Sequence, residues 1–425
     1  MRIAVVGSGI SGLTAAYCLG GHHDVTVFEA QDRLGGHSNT VTVETALGPR
    51  AIDTGFIVCN PVNYPGFFGL MAELGVPLLP SDMSLGVSVD HGRIEWAGDH
   101  NVLKVFAQPR LALSPAHLGM LTAVLRFNRH VKRLLAEDAL PDITLGEFLD
   151  RHRYPQTLRV RYIAAMAGPI WSTSTRGVMA FPFPAFARFF ESHGLLNVRE
   201  RPQWMTVSGG SQYYVQRLRE RCRARFLTGT AVRALSRGGQ GVRVQTEHDE
   251  AVFDAVVCAA HSDEALAMLG DASPAERAIV GAVPFARNRA VLHSDISLMP
   301  RRRRAWSSWN ALLDGDAPSD VPIGVSYWMN RLQNLDTPDP FILTLNPPRE
   351  PARDRVLYET EYAHPQYTPE TIAAQSRLGE IQGANGIWWA GAWTGYGFHE
   401  DGLKSGLAAA AGIDAACRPD WAEAA

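Results

Sequence analysis

The glycine-rich turn near the start of the chain restricts its fold more than any other feature. An apolar, β-branched run, Arg2–Val6 (RIAVV), leads into Gly7-Ser8-Gly9-Ile10-Ser11-Gly12 and then into the Ala- and Leu-rich stretch Leu13–Leu19. A strand that is apolar on both faces belongs inside a parallel sheet covered by helices. Gly7 permits the tight turn, Gly9 removes the Cβ that would block a pyrophosphate, and Gly12 lets the helix lie close to the strand. The helix N-terminus at Ile10 and Ser11 offers free N–H groups and a positive dipole end to phosphate. A second strand, Asp24–Phe28 (DVTVF), ends in Glu29. A carboxylate there meets the ribose hydroxyls and repels a 2′-phosphate, which disfavours NADP.

The segment that follows, Glu29-Ala30-Gln31-Asp32-Arg33-Leu34-Gly35-Gly36-His37, resembles the E-x₃-R-x-G-G extension of glutathione-reductase-like FAD proteins. It is most similar to that of the flavin-containing amine oxidase superfamily, which includes monoamine oxidases, protoporphyrinogen oxidases and phytoene desaturases. Ala51-Ile52-Asp53-Thr54-Gly55-Phe56 resembles that family's segment under the isoalloxazine ring, with Thr54 replacing a glycine. Ile387–Trp393 and Glu400–Gly406 resemble its closing strand and helix start.

The resemblance implies an α/β fold: a Rossmann-type FAD-binding domain plus a substrate domain of mixed sheet and helices. We expect the first domain over 1–78, 199–270 and 378–425 and the second over 79–198 and 271–377. It implies that Glu29 and Ala30 hold the ribose, that Arg33, Gly35, Gly36 and His37 lie along the ribose–phosphate, and that Val232 touches the adenine. Thr54, Gly55 and Phe56 pass under the flavin, while Gly391, Gly402 and Leu403 close its other side. The acid that usually follows Ala390-Gly391 is Ala392 here. No cysteine lies near the C-terminal motif, so FAD is expected to be non-covalent.

Removing a hydride from a C–H bond also requires an apolar slot and, where a proton leaves, an acceptor. His399 and His37 fall in motif positions near the ring, with Tyr396 beside the former; an imidazole titrates near neutrality and suits the task. His37 could equally bind a phosphate, and His399 could orient the helix start; Glu400 reads as a cap acceptor. Gly-Gly-His-Ser-Asn-Thr and Tyr-Gly-Phe-His-Glu-Asp-Gly resemble a bacterial branch of the superfamily that accompanies cyclopropane-fatty-acid-synthase-like methyltransferases. That implies a lipid acyl substrate, methylated upstream, with oxygen or a quinone reoxidising the flavin. The alternatives are amine oxidation, carotenoid or porphyrinogen oxidation, and a carrier of FAD or lipid without turnover.

A formal net charge of −3 over 425 residues gives no electrostatic reason to bind nucleic acid. The five cysteines (Cys18, Cys59, Cys222, Cys258, Cys417) are dispersed, with no metal-type spacing, so reduced thiols and no metal are expected. Met1 leads straight into a strand and no apolar run spans a bilayer, so a cytoplasmic protein without a signal peptide is expected. Peripheral contact with the cytoplasmic face of a membrane is a further expectation, from the apolar Leu111–Phe127 and from Met299–Trp306, where four arginines adjoin a tryptophan.

In the middle of the chain, residues 79–96 read as strands, and 117–133 and 145–167 as helices. Arg289–His293 and Ile323–Trp328 read as further strands. Phe181–Phe186, with alternating prolines, is expected to be extended and to line something, or else to be a self-packed loop. Residues after Cys417 are expected to fray.

Overall fold

The computed structural model describes residues 1–98, 101–197 and 202–424. The boundary expected at 198/199 therefore lies outside the described residues. Strand β1 (Arg2–Val6), helix α1 (Ile10–Leu19) and strand β2 (Asp24–Phe28) form the expected βαβ unit. It sits in a five-stranded parallel sheet with spatial order 225–227, 24–28, 2–6, 255–258, 387–389, so the first and last strands of the sheet are far apart in sequence. Ile3, Ala4 and Val5 have no solvent exposure, because both faces of the sheet are covered.

The C-terminal helix His399–Ile413 crosses α1 at glycines. A Cβ on Gly402 would approach Ile10 Cγ2 to 2.7 Å, and one on Gly406 would collide with the Ser11 carbonyl oxygen. The two helices can approach this closely only because those side chains are absent.

A second, seven-stranded sheet has the order 356–365, 285–293, 342–345, 324–328, 309–313, 85–89, 94–98. Its pairs are antiparallel except 85–89 with 309–313. Against it packs a helical layer containing Pro115–Ala136, Leu145–Arg151, Ala165–Trp171 and Phe183–Ser192.

Four expectations require correction. Phe181–Phe186 is not extended throughout: Phe183 opens a helix with Pro184 in its first turn. A first-turn N–H has no intrahelical acceptor, so proline costs nothing there. The rings of Phe183, Phe186 and Phe190 are buried in the helical core, with Phe183 stacked on Phe148 at 3.8 Å, and it is Phe189 that reaches the cavity. The helix expected over 145–167 breaks after Arg151, ahead of Pro155. The tail does not fray after Cys417, because Asp420–Ala424 forms a turn against the helix Pro65–Leu74, burying Ala422 and laying Trp421 on Gly69.

Finally, Trp306 is no interfacial anchor. It is buried edge-on to Trp328 at 5.3 Å, with its indole N–H donated to the Pro300 carbonyl. The neighbouring arginines clamp the buried Glu95 carboxylate, which accepts from the Arg301 and Arg302 backbone N–H groups and pairs with the Arg302 guanidinium at 3.0 Å.

Gly406→Val should force the helix pair apart and lower unfolding stability by about 3 kcal/mol, measurable by denaturant titration. Leu113→Val, on an exposed turn, should leave it unchanged.

Candidate active site

A cavity of about 1090 Å³ runs from the glycine turn into the space between the two sheets and the helical layer. At one end lie Gly7, Gly9, Ile10, Ser11, Glu29, Ala30, Arg33, Gly35, Gly36 and Val232. Gly7 adopts φ +98°, which a side chain resists, and a Cβ there would meet the Ala259 carbonyl oxygen at 2.8 Å. A Cβ on Gly9 would meet nothing within 4 Å, so the turn opens onto free volume. Glu29 is buried, and its carboxylate organises the turn, accepting from Ser8 N at 2.9 Å, Ser8 Oγ at 2.5 Å and Gln31 N at 2.8 Å. Arg33 Nη1 is buried with no hydrogen-bond partner among the described residues. A buried, unpaired guanidinium nitrogen is costly unless an anion meets it, so this end fits a cofactor phosphate.

Further along the cavity lie His37, Thr54, Gly55, Phe56, Gly391, Tyr396 and His399. Three sequence-derived residues are not on the cavity wall. Gly12 and Gly402 serve close backbone packing, and Leu403 is fully buried in the core beneath α1.

His399 begins the C-terminal helix and stacks on Phe56 at 3.8 Å with the rings 9° from parallel. Its Nε2 lies 2.7 Å from the Tyr214 hydroxyl, which lies 2.6 Å from Ser38 Oγ. Burial lowers the His399 pKa to about 3 and raises that of Tyr214, so at neutral pH both the imidazole and the phenol are uncharged. Glu400 caps a helix other than its own: its oxygens accept from Gly66 N and Phe67 N, both at 2.9 Å, at the start of Pro65–Leu74. Asp401 closes the local turn, accepting from Tyr396 N and Phe398 N.

The motifs gave no sign of a cluster around His37. Its ring lies 4.9 Å from that of Tyr362, 5.3 Å from His364 and 6.0 Å from His261, and among the described residues neither of its ring nitrogens has a hydrogen-bond partner. Asn288 Oδ1 accepts from Asn346, so its Nδ2 faces His364 Nδ1 at 3.2 Å as a donor. Ser172 Oγ lies closer still to the same nitrogen, at 2.9 Å. Burial and the neighbouring imidazoles hold His37 well below its usual pKa, and burial brings His364 to about 4. His364 lies in a strand, Val356–Pro365, with no sequence motif around it, so only tertiary structure could reveal it.

Between the sheets and the helical layer the cavity is lined by Met83, Leu85, Met166, Ile170, Leu195 and Leu343, among others. Among the described residues, the lining from Met83 to Trp204 and from Trp309 to Leu345 includes no Asp, Glu, Lys or Arg.

A parallel sheet with a glycine turn, a buried acid at its second strand and an unpaired guanidinium beside an apolar cavity defines a dinucleotide-binding flavoprotein. The chain belongs to the flavin containing amine oxidoreductase family, whose model matches residues 10–280, and FAD is the cofactor this implies. It is 31% identical over 269 residues to "Putative flavin-containing monoamine oxidase AofH" of Mycobacterium tuberculosis, covering 60% of this chain and 56% of that protein. The chain thus spans little more than half the length of that relative. Among solved structures, cyclohexylamine oxidase from Brevibacterium oxydans matches with TM-score 0.66 and 19% identity over 97% of this chain and 98% of that one. A fatty acid isomerase from P. acnes matches with TM-score 0.68 and 15% identity over 95% and 96%. At these identities the two structures share the fold.

Arg33→Ala should weaken FAD binding roughly tenfold or more, read by flavin fluorescence on titration. Acid should destabilise the fold. His364 and His193 at about 4, His293 at about 4 and His399 at about 3 all lie below the ordinary 6.5. The unfolded chain binds those protons first, so their contribution is complete above pH 6.5 and is lost as pH falls toward 4. Asp53 and Asp401, raised by burial to about 6, oppose this only in part. The thermal midpoint should therefore drop on acidification through this window, and drop less in His293→Asn.

Proposed function

We propose that this protein is an FAD-dependent oxidoreductase that removes a hydride from a C–H bond of an apolar substrate, best read as desaturation of a methylated fatty-acyl chain of a phospholipid. The observation that carries the reading is the slot between the sheets and the helical layer, whose lining among the described residues carries no charge. An ammonium or carboxylate entering it would lose its hydration without gaining a charge partner, whereas an alkyl chain gains by burial. The fatty acid isomerase of the same fold supports the capacity of this architecture for acyl chains.

Bound FAD supplies the two-electron hydride acceptor. The protein supplies orientation through the aliphatic slot and an acceptor for the proton that leaves the adjacent carbon. His37 suits that role: it faces the cavity, is neutral, and among the described residues makes no hydrogen bond through its ring nitrogens. His399 has its Nε2 engaged by Tyr214 and acts as a positioning residue at the helix start. Reoxidation would fall to oxygen or a quinone, and a methyl-branched chain would come from a methyltransferase acting upstream.

A second reading, oxidation of a neutral amine, is favoured by the ring-lined stretch where Tyr367, Tyr396 and Phe398 meet the cavity, and by the named activity of the mycobacterial relative.

The holoprotein should lose its flavin absorbance under anaerobic conditions with phospholipids carrying methylated unsaturated acyl chains, and not with primary amines or polyamines. Bleaching by amines alone would establish the second reading instead. His37→Ala should slow bleaching about 100-fold while retaining FAD; an unchanged rate would remove it as the proton acceptor.

A further inference from the structure

The helix Pro115–Ala136 and the turn before it have two contrasting sides. Inward, Leu111, Met120, Ala123, Val124 and Phe127 fill the core of the helical layer. Outward, Leu113 is 86% exposed, Leu125 51% and Leu118 42%, with Leu103 at 71% on the preceding turn. Every exposed residue from Ala112 through Leu125 is uncharged. Such a strip is unusual on a water-facing surface, where polar residues commonly interrupt apolar ones.

The ends of the strip are cationic. Arg110 is exposed on one side, and Arg126, Arg129 and Arg133 on the other. Residues 101–136 contain no Asp or Glu at all. An apolar band bounded by arginines, in a segment without an acid before Glu137, matches the interfacial zone of an anionic bilayer, where leucines enter the acyl boundary and guanidinium groups meet phosphates. An acidic protein partner would match the arginines but leave the uncharged band without a counterpart.

We propose that this face, from Arg110 to Arg133, docks the protein on an anionic lipid surface. Met166 and Ile170, which line the cavity, pack against the same core that the inner side of the helix fills. The docking face is thus the outside of the layer whose inside forms the cavity wall. For its cargo the proposal rests on the acyl-chain reading above, but lipid binding is measured without turnover, so the two can fail separately.

The test is flotation of the FAD-loaded protein with vesicles of phosphatidylcholine alone and of phosphatidylcholine mixed with phosphatidylglycerol. Binding should require phosphatidylglycerol and weaken as salt is raised. Leu113→Asp combined with Leu118→Asp, and separately Arg129→Glu combined with Arg133→Glu, should each reduce binding about tenfold or more while leaving thermal midpoint and FAD content unchanged. Absence of binding to either vesicle would overturn the proposal, as would equal binding by the wild type and both variants. Self-association of the wild type, abolished by the leucine variant without any vesicle binding, would assign the face to a second copy of the chain.

Discussion

The contact between α1 and the C-terminal helix is the constraint on which the rest of the site depends. It holds only because Gly402 and Gly406 carry no side chain where they meet Ile10 and Ser11. Through it, the glycine turn that faces the cofactor phosphate and the helix start that carries His399 are kept in one rigid relation. Glu400 extends the same frame: its carboxylate holds the first turn of Pro65–Leu74, whose Phe67 meets the Tyr214 and His399 rings. Packing of backbone on backbone, rather than any single polar contact at the cavity, sets the geometry available to the flavin.

The nucleotide end was legible in the residues because its chemistry is local. A turn that must admit a pyrophosphate demands glycine at fixed offsets, and the acid and the arginine follow at short range. The strands within 79–96, at Arg289–His293 and at Ile323–Trp328 were also legible as short runs rich in apolar residues. What sequence could not reveal depended on distant partners. His364 and His261 approach His37 only through tertiary pairing, and Tyr214 reaches His399 across 185 positions. The helix at Phe183 was hidden by a proline pattern that reads as extended, although the first turn of a helix tolerates proline.

Leu403 and Trp306 show a related limit. Each stands in a motif whose spacing suggests a contact, and its own side chain turns into the core. Position within a motif does not specify side-chain direction, and burial decides between a ligand contact and packing. The arginines beside Trp306 show the same effect, since the buried Glu95 absorbs charge that the sequence alone would assign to solvent or to an anionic surface.

The order of strands in the parallel sheet has a consequence for biosynthesis. The strand Ile387–Trp389 pairs with Val256–Cys258, which pairs with β1, and the last helix then covers α1. A chain emerging N-terminus first completes its glycine turn early and must wait for nearly all remaining residues before that turn is covered. Until then the apolar flank of α1 is exposed, and the long loops to be closed favour slow assembly. Loss of the segment 387–413 would leave the nucleotide motif intact in sequence yet without the strand and helix that cover it.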